Sequence, residues 1–169
     1  LIAVLVVLLV TAGVIALCTV PPAAAERLRI ATFHAELSRD GPGLLLRDIR
    51  KGEDAQALAA AAVIATAQPD VLLLTGFDWD LDLTALTAFS DLLAQRGAVY
   101  PHRFALRPNT GLMTDHDLDG DGRHRGPGDA QGWGRFSGEG GMAVLSRQPI
   151  DTAGITDHSA LLWKDLPGT

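Results

Sequence analysis

The chain has 169 residues, with 20 acidic side chains against 14 basic ones for a formal charge of −6, and its one cysteine is Cys18. A chain this acidic does not hold nucleic acid by charge alone. Because Cys18 lies in the apolar opening segment, the remainder can form no disulfide and offers no thiolate to zinc, so any metal must sit on oxygen or imidazole.

Residues 1–25 carry no charge, open on the apolar run 1–10 and end in Pro21-Pro22-Ala23-Ala24-Ala25, small residues of the kind signal peptidase accepts. The expectation is an export leader cut near Ala25 and recorded from within, since an initiator Met and a basic segment are absent. The protein is then periplasmic or extracellular. The alternative is a membrane anchor, because residues 1–20 approach the roughly 20 residues that span a bilayer. Membrane contact is expected only in that case. Lipidation of Cys18 is disfavoured by the bulky Leu17 before it.

Residues 26–169 read as one domain of strands alternating with amphipathic helices, and as a monomer. Residues 28–33 are mostly apolar with β-branched residues among them and predict the first strand, followed by a polar loop over 34–43. Residues 53–68 predict a helix with Leu58, Ala61, Ala62 and Ala65 on one face and Glu53 and Asp54 at its start. Pro69-Asp70 ends it, and residues 71–74, apolar throughout, predict a strand covered on both sides. Strand, helix and strand imply a parallel crossover that brings the loops after Phe33 and Thr75 to one sheet edge. A helix over 84–96 carries Leu86, Phe89, Leu92 and Leu93 as core. Strands follow over 100–106 and 142–145, separated by a long loop rich in Gly and Asp, of the kind that is functional or disordered.

Four segments together resemble the endonuclease/exonuclease/phosphatase superfamily of metal-dependent phosphoesterases, in particular its exported bacterial branch. They are Arg29-Ile30-Ala31-Thr32-Phe33-His34, the run from Pro69-Asp70 through Thr75-Gly76-Phe77-Asp78, Asn109-Thr110-Gly111 with the Asp-rich stretch after it, and Gly140-Gly141-Met142-Ala143-Val144-Leu145-Ser146-Arg147 with Pro149-Ile150. The resemblance implies an α/β fold, a four-layer α/β/β/α sandwich of two mixed sheets, of which this chain holds the N-terminal portion. It implies a phosphate ester substrate, nucleic acid included, attacked by water with the help of Mg²⁺ or Mn²⁺. Asn109 then belongs to a substrate-side loop, and the catalytic residues are expected beyond Thr169.

The family has an Asn at the end of the first strand and a Glu at the end of the second, where this chain has His34 and Gly76. A nitrogen at 34 favours Mn²⁺ over Mg²⁺. Asp78 is the substitute carboxylate, so the expected metal ligands are His34 and Asp78. The plainer reading gives His34 a backbone partner at a strand end, and makes Asp78, Asp80 and Asp82 a solvated loop capping the next helix.

Asp117, Asp119 and Asp121 have the spacing of a calcium loop, but position twelve is Gly128 rather than a bidentate Glu, which excludes an EF-hand. A calcium-stiffened loop and a merely solvated one remain the alternatives. Asp157-His158 reads as a surface turn before Leu161-Leu162-Trp163. The functional readings are therefore an exported phosphoesterase or nuclease, and a catalytically degenerate relative retained as a binding module, with calcium as its stiffener. Trp79, Trp133 and Trp163 give weak support to a sugar- or surface-binding domain and read more simply as core.

Overall fold

One mixed sheet organises the chain, and burial along its strands alternates, with the buried residues at close to every second position. The computed structural model describes residues 27–158 and residue 168; the leader with Cys18 and the segment Leu161-Leu162-Trp163 lie outside the described residues. In chain order the elements are β1 (Ile30–Leu37), α1 (Leu44–Lys51), α2 (Ala55–Ala67), β2 (Val71–Phe77), α3 (Thr84–Ala94), β3 (His102–Phe104) and β4 (Gly141–Ser146). Short 3-10 turns occupy Leu81–Leu83, Pro127–Asp129 and Thr152–Gly154. The sheet order is β1-β2-β4-β3, with β1 and β2 parallel, β4 antiparallel to β2, and β3 antiparallel to β4. This is an α/β fold, and its parallel pair sends the ends of β1 and β2 to one rim as the crossover predicts.

Both strands of that pair run further than their sequence pattern. β1 continues from 33 to Leu37 and β2 from 74 to Phe77, so His34 sits inside a strand instead of opening a loop. Cross-strand pairing with its parallel neighbour carries the polar residues along. β3 starts later than its pattern because Pro101 has no N–H to give, and it ends at Phe104; Tyr100 before it is buried, with its hydroxyl donating to the Pro69 carbonyl at 2.9 Å.

The helix α1 has no counterpart in the sequence pattern. It spans 8 residues with only Leu45 and Ile49 buried, and glycines at 43 and 52 with φ of 74° and 71° bound it. In α2 the Asp54 carboxylate caps the first turn, accepting from the Ala57 N–H at 2.8 Å. Its buried face is Ala57, Ala60, Ala61 and Ile64, so Ala62 is exposed and Leu58 and Ala65 lie at the margin. A helix apolar all round has no strong directional preference, and small side chains set the contact by close approach. The core expected of α3 holds: Leu86, Phe89, Leu92 and Leu93 are all buried.

The helices cover one sheet face. Ala35, Leu37, Leu72, Leu74, Ala143 and Leu145 from the strands form one cluster with Ile64, Leu86, Phe89 and Leu93 from the helices. Among the described residues the other face is open, with Ile30 67% and Met142 60% exposed. Between β3 and β4 the long loop is held by bridges from Thr110 to Gly132 and from Met113 to Ala130. Trp133 on it is exposed, contrary to the core reading of the tryptophans.

Phe89 is fully buried, with its ring 5.7 Å from that of Phe77. Phe89→Ala is expected to lower unfolding stability by about 3–5 kcal/mol, read from urea denaturation, because the site cannot collapse around the missing ring.

Candidate functional site

The rim where β1 and β2 end is shaped by slipped register. His34 pairs with Thr75 but Leu37 with Phe77, and on the other side Thr75 pairs with Met142 but Phe77 with Gly141. Each slip marks an extra residue, with Glu36 at φ 51° in β1 and Gly76 at φ 65° in β2. These are bulges, which re-aim the side chains that follow.

His34 is exposed on the open face, and its Nδ1 lies 3.0 Å from the Thr75 hydroxyl. Its partner is thus a cross-strand side chain rather than the backbone. The ring lies against Gly76: a Cβ built there would stand 2.7 Å from His34 Cε1, closer than real contacts allow. Gly76 therefore has both a left-handed backbone and a neighbour that fills its side-chain space.

Asp78 is buried at 6% exposure rather than solvated. Its Oδ1 accepts from the Ser38 hydroxyl at 2.7 Å and the Gly140 N–H at 2.9 Å, and its Oδ2 accepts from the Arg39 N–H at 2.8 Å. One carboxylate thereby ties together the chain leaving β1, the chain leaving β2 and the chain entering β4. His34 and Asp78 accordingly have separate partners. The capping part of the expectation falls to Asp80, whose Oδ2 accepts from the Ala85 N–H at 2.9 Å and from the Thr84 hydroxyl, while its Oδ1 is buried without a hydrogen-bond partner. Asp82 is exposed.

A divalent ion at this rim needs several oxygen donors converging on one point. The residues present do not fit that need. Position 76 offers no side chain, both oxygens of Asp78 are engaged by donors, and one nitrogen of His34 is taken by Thr75.

Carboxylates do converge elsewhere. Among the described residues, Asp117, Asp119 and Asp129 offer ligand atoms that all lie within 4.8 Å of one another. Asp129 was not visible in the calcium-like spacing, because it reaches the group through the turn Pro127–Asp129 and not through sequence proximity. Asp121 instead accepts from the Arg123 N–H at 2.8 Å. Asp129 is buried, and the N–H groups of Leu118 at 2.9 Å and Gly126 at 2.8 Å hold its carboxyl below the usual carboxylate range. Asp117 accepts from Gly120 at 2.7 Å and Gly122 at 3.0 Å. The Asp119 carboxylate packs on Gly128, where a Cβ would collide with it. The trio provides hard oxygen donors of the type a divalent ion takes.

Asn109 lies at the edge of a hollow of about 510 Å³ on the open sheet face, lined also by Leu73, Phe104, Leu106, Met142 and Val144. Its carbonyl accepts from the N–H groups of Leu112 and Gly132, both at 3.1 Å, which folds the loop back on itself. Asp157 and His158 are exposed, as expected of a surface turn.

Gly76→Ala is expected to lower stability by more than the about 1–2 kcal/mol that a left-handed backbone costs a residue with a Cβ. In a His34→Ala background the loss should fall to that backbone cost alone. A double-mutant cycle from urea denaturation measures the difference, and a cycle with no coupling would show that the ring does not press on position 76.

Among curated proteins none matches this chain. The crystal structure of an endonuclease/exonuclease/phosphatase from Beutenbergia cavernae DSM 12333 is similar at 24% identity, with a TM-score of 0.40 over 72% of this chain. The chain spans 26% of that protein's length. The Endonuclease/Exonuclease/phosphatase family matches over residues 45–169, which include β2 with its end at the rim, the Asp-rich loop and β4, and the chain belongs to that family.

Proposed function

We propose that the protein containing this chain is an exported, divalent-metal-dependent hydrolase of phosphate esters, acting as a phosphoesterase or nuclease. The observation that carries the reading is the family match over residues 45–169. Since the rim of β1 and β2 lacks a fitting ligand set, the proposal assigns the metal-binding and catalytic groups to parts of the protein outside the described residues. This chain then supplies scaffold and a substrate-side loop around Asn109. The acidic charge means that a nucleic acid substrate would be held by specific contacts and not by a basic surface. Full-length, folded protein is expected to hydrolyse a generic phosphodiester with Mg²⁺ or Mn²⁺, with Mn²⁺ ahead if an imidazole is among the ligands. No turnover with either ion would sink the reading. Export by a cleaved leader has its own readout on the same sample, a mature chain that begins at Glu26.

The finer architecture is a four-layer sandwich in which a second sheet covers the open face. Exposed Ile30 and Met142, with the apolar hollow beside Leu73, Phe104 and Val144, support it, since a sheet apolar on both faces needs cover on both. In full-length protein, a cysteine placed by Met142→Cys is expected to resist a thiol reagent until the protein is unfolded. Immediate labelling of the folded protein would count against the second sheet.

A second reading, a catalytically degenerate relative serving as a binding module, is favoured by the His34 ring seated on Gly76 and by the engaged oxygens of Asp78. In that reading Asp117, Asp119 and Asp129 take Ca²⁺ and stiffen the loop. It is distinguished in the turnover experiment above by absent hydrolysis together with a Ca²⁺-dependent rise in Tm that Asp119→Asn removes.

A further inference from the structure

We infer that the carboxyl rim of β1 and β2 is closed to a divalent cation in this protein, because the imidazole of His34 occupies the volume that a ligand at position 76 would need. The inference rests on the family reading only for the expectation of an ion here. It makes no demand on turnover.

Three features of the rim act together. At the Gly76 bulge a Cβ would meet His34 Cε1 at 2.7 Å, Nδ1 at 3.1 Å and Nε2 at 3.2 Å, so the whole ring edge lies over the position. The ring is kept there by the Thr75 hydroxyl at 3.0 Å, on the residue that pairs with His34 across the strands. Asp78, the nearest substitute, is turned inward and holds Ser38, Arg39 and Gly140 with both of its oxygens. Freeing it would strip the donors from a buried carboxylate and unfasten three chain segments at once. Among the described residues, His34 is in no group of three metal-ligating side chains with converging ligand atoms. The substitution of His for Asn and of Gly for Glu thus reads as one change made at two places: a ring moves in where a carboxylate has left.

The test is a titration of full-length, isotope-labelled protein with MnCl₂, whose unpaired electrons broaden NMR signals of nearby nuclei. The amide of Thr75 and the methyl of Met142, its register partner, report on the rim, and the amide of Gly97 is the remote reference. The expected result is that the rim signals lose no more intensity than Gly97. Selective loss of the Thr75 and Met142 signals would overturn the inference. The paired substitution His34→Asn with Gly76→Glu is expected to introduce that selective loss. If the doubly substituted protein is folded, by its amide spectrum, and shows none, the ring is not what keeps the ion out and the inference fails. If it does not fold, the titration of the unsubstituted protein decides. Turnover tests the family reading, and the rim signals test this inference, so the two failures are separate.

Discussion

A left-handed residue in the middle strand of a sheet constrains everything near it. At Gly76 the chain adds one residue against β4, while β1 adds its own at Glu36. The two slips coincide, so the parallel pair stays in contact beyond the bulges, but the side chains after them are redirected. Asp78 is turned into the protein, where it meets Ser38, Arg39 and Gly140. His34, one step before the slip, is free to lie over a residue that has no side chain. The geometry of the rim follows from these two adjoining bulges and the absence of a Cβ at position 76.

The same strand is anchored at its other end by a second carboxylate. Asp70 accepts from the Arg29 N–H at 2.7 Å and pairs with the Arg147 guanidinium at 3.3 Å. The Arg29 N–H above all, with the charge of Arg147, holds its carboxyl below the usual range. Arg147 also stands 5.7 Å from the Tyr100 ring centroid, linking the foot of β2 to the segment before β3. β2 is thus bracketed by Asp70 and Asp78, and each joins chain segments that are distant in sequence. Many of the acidic residues in this chain are used in this way, as acceptors for backbone N–H groups. The Asp-rich loop repeats the pattern, with Asp117 and Asp129 each gathering two N–H groups. Negative charge here does much of its work on local backbone, which is why acidic spacing alone is a poor guide to ion binding.

The sheet also divides the molecule's two roles. One face is sealed by α1, α2 and α3 around Ile64, Leu86, Phe89 and Leu93, and that is where hydrophobic burial stabilises the fold. The opposite face exposes His34, Met142 and the hollow beside Asn109. The rim and the open face adjoin, so a change in what fills position 76 alters the surface that any facing layer or substrate would meet.

Composition and periodicity by themselves determined the elements whose signal is local. The α3 core at 3.6-residue spacing and the apolar run of β2 were legible because each depends on neighbours a few residues apart; the parallel relation of β1 and β2 followed from the helix that separates them, and the family was legible as a resemblance carried by whole segments around Asp78 and β4. The helix α1 was not, since two buried side chains in eight residues leave too faint a pattern. Nor was the buried face of α2, where alanine on every side gives no direction. Only the tertiary structure decided that Asp78 faces inward, that Thr75 holds His34 over Gly76, and that Asp129 joins Asp117 and Asp119 in place of Asp121. Those outcomes hang on a backbone bulge and on a turn that brings distant residues within hydrogen-bonding reach. Contacts of that kind are set by how the strands and loops meet, and the order of residues along the chain does not display them.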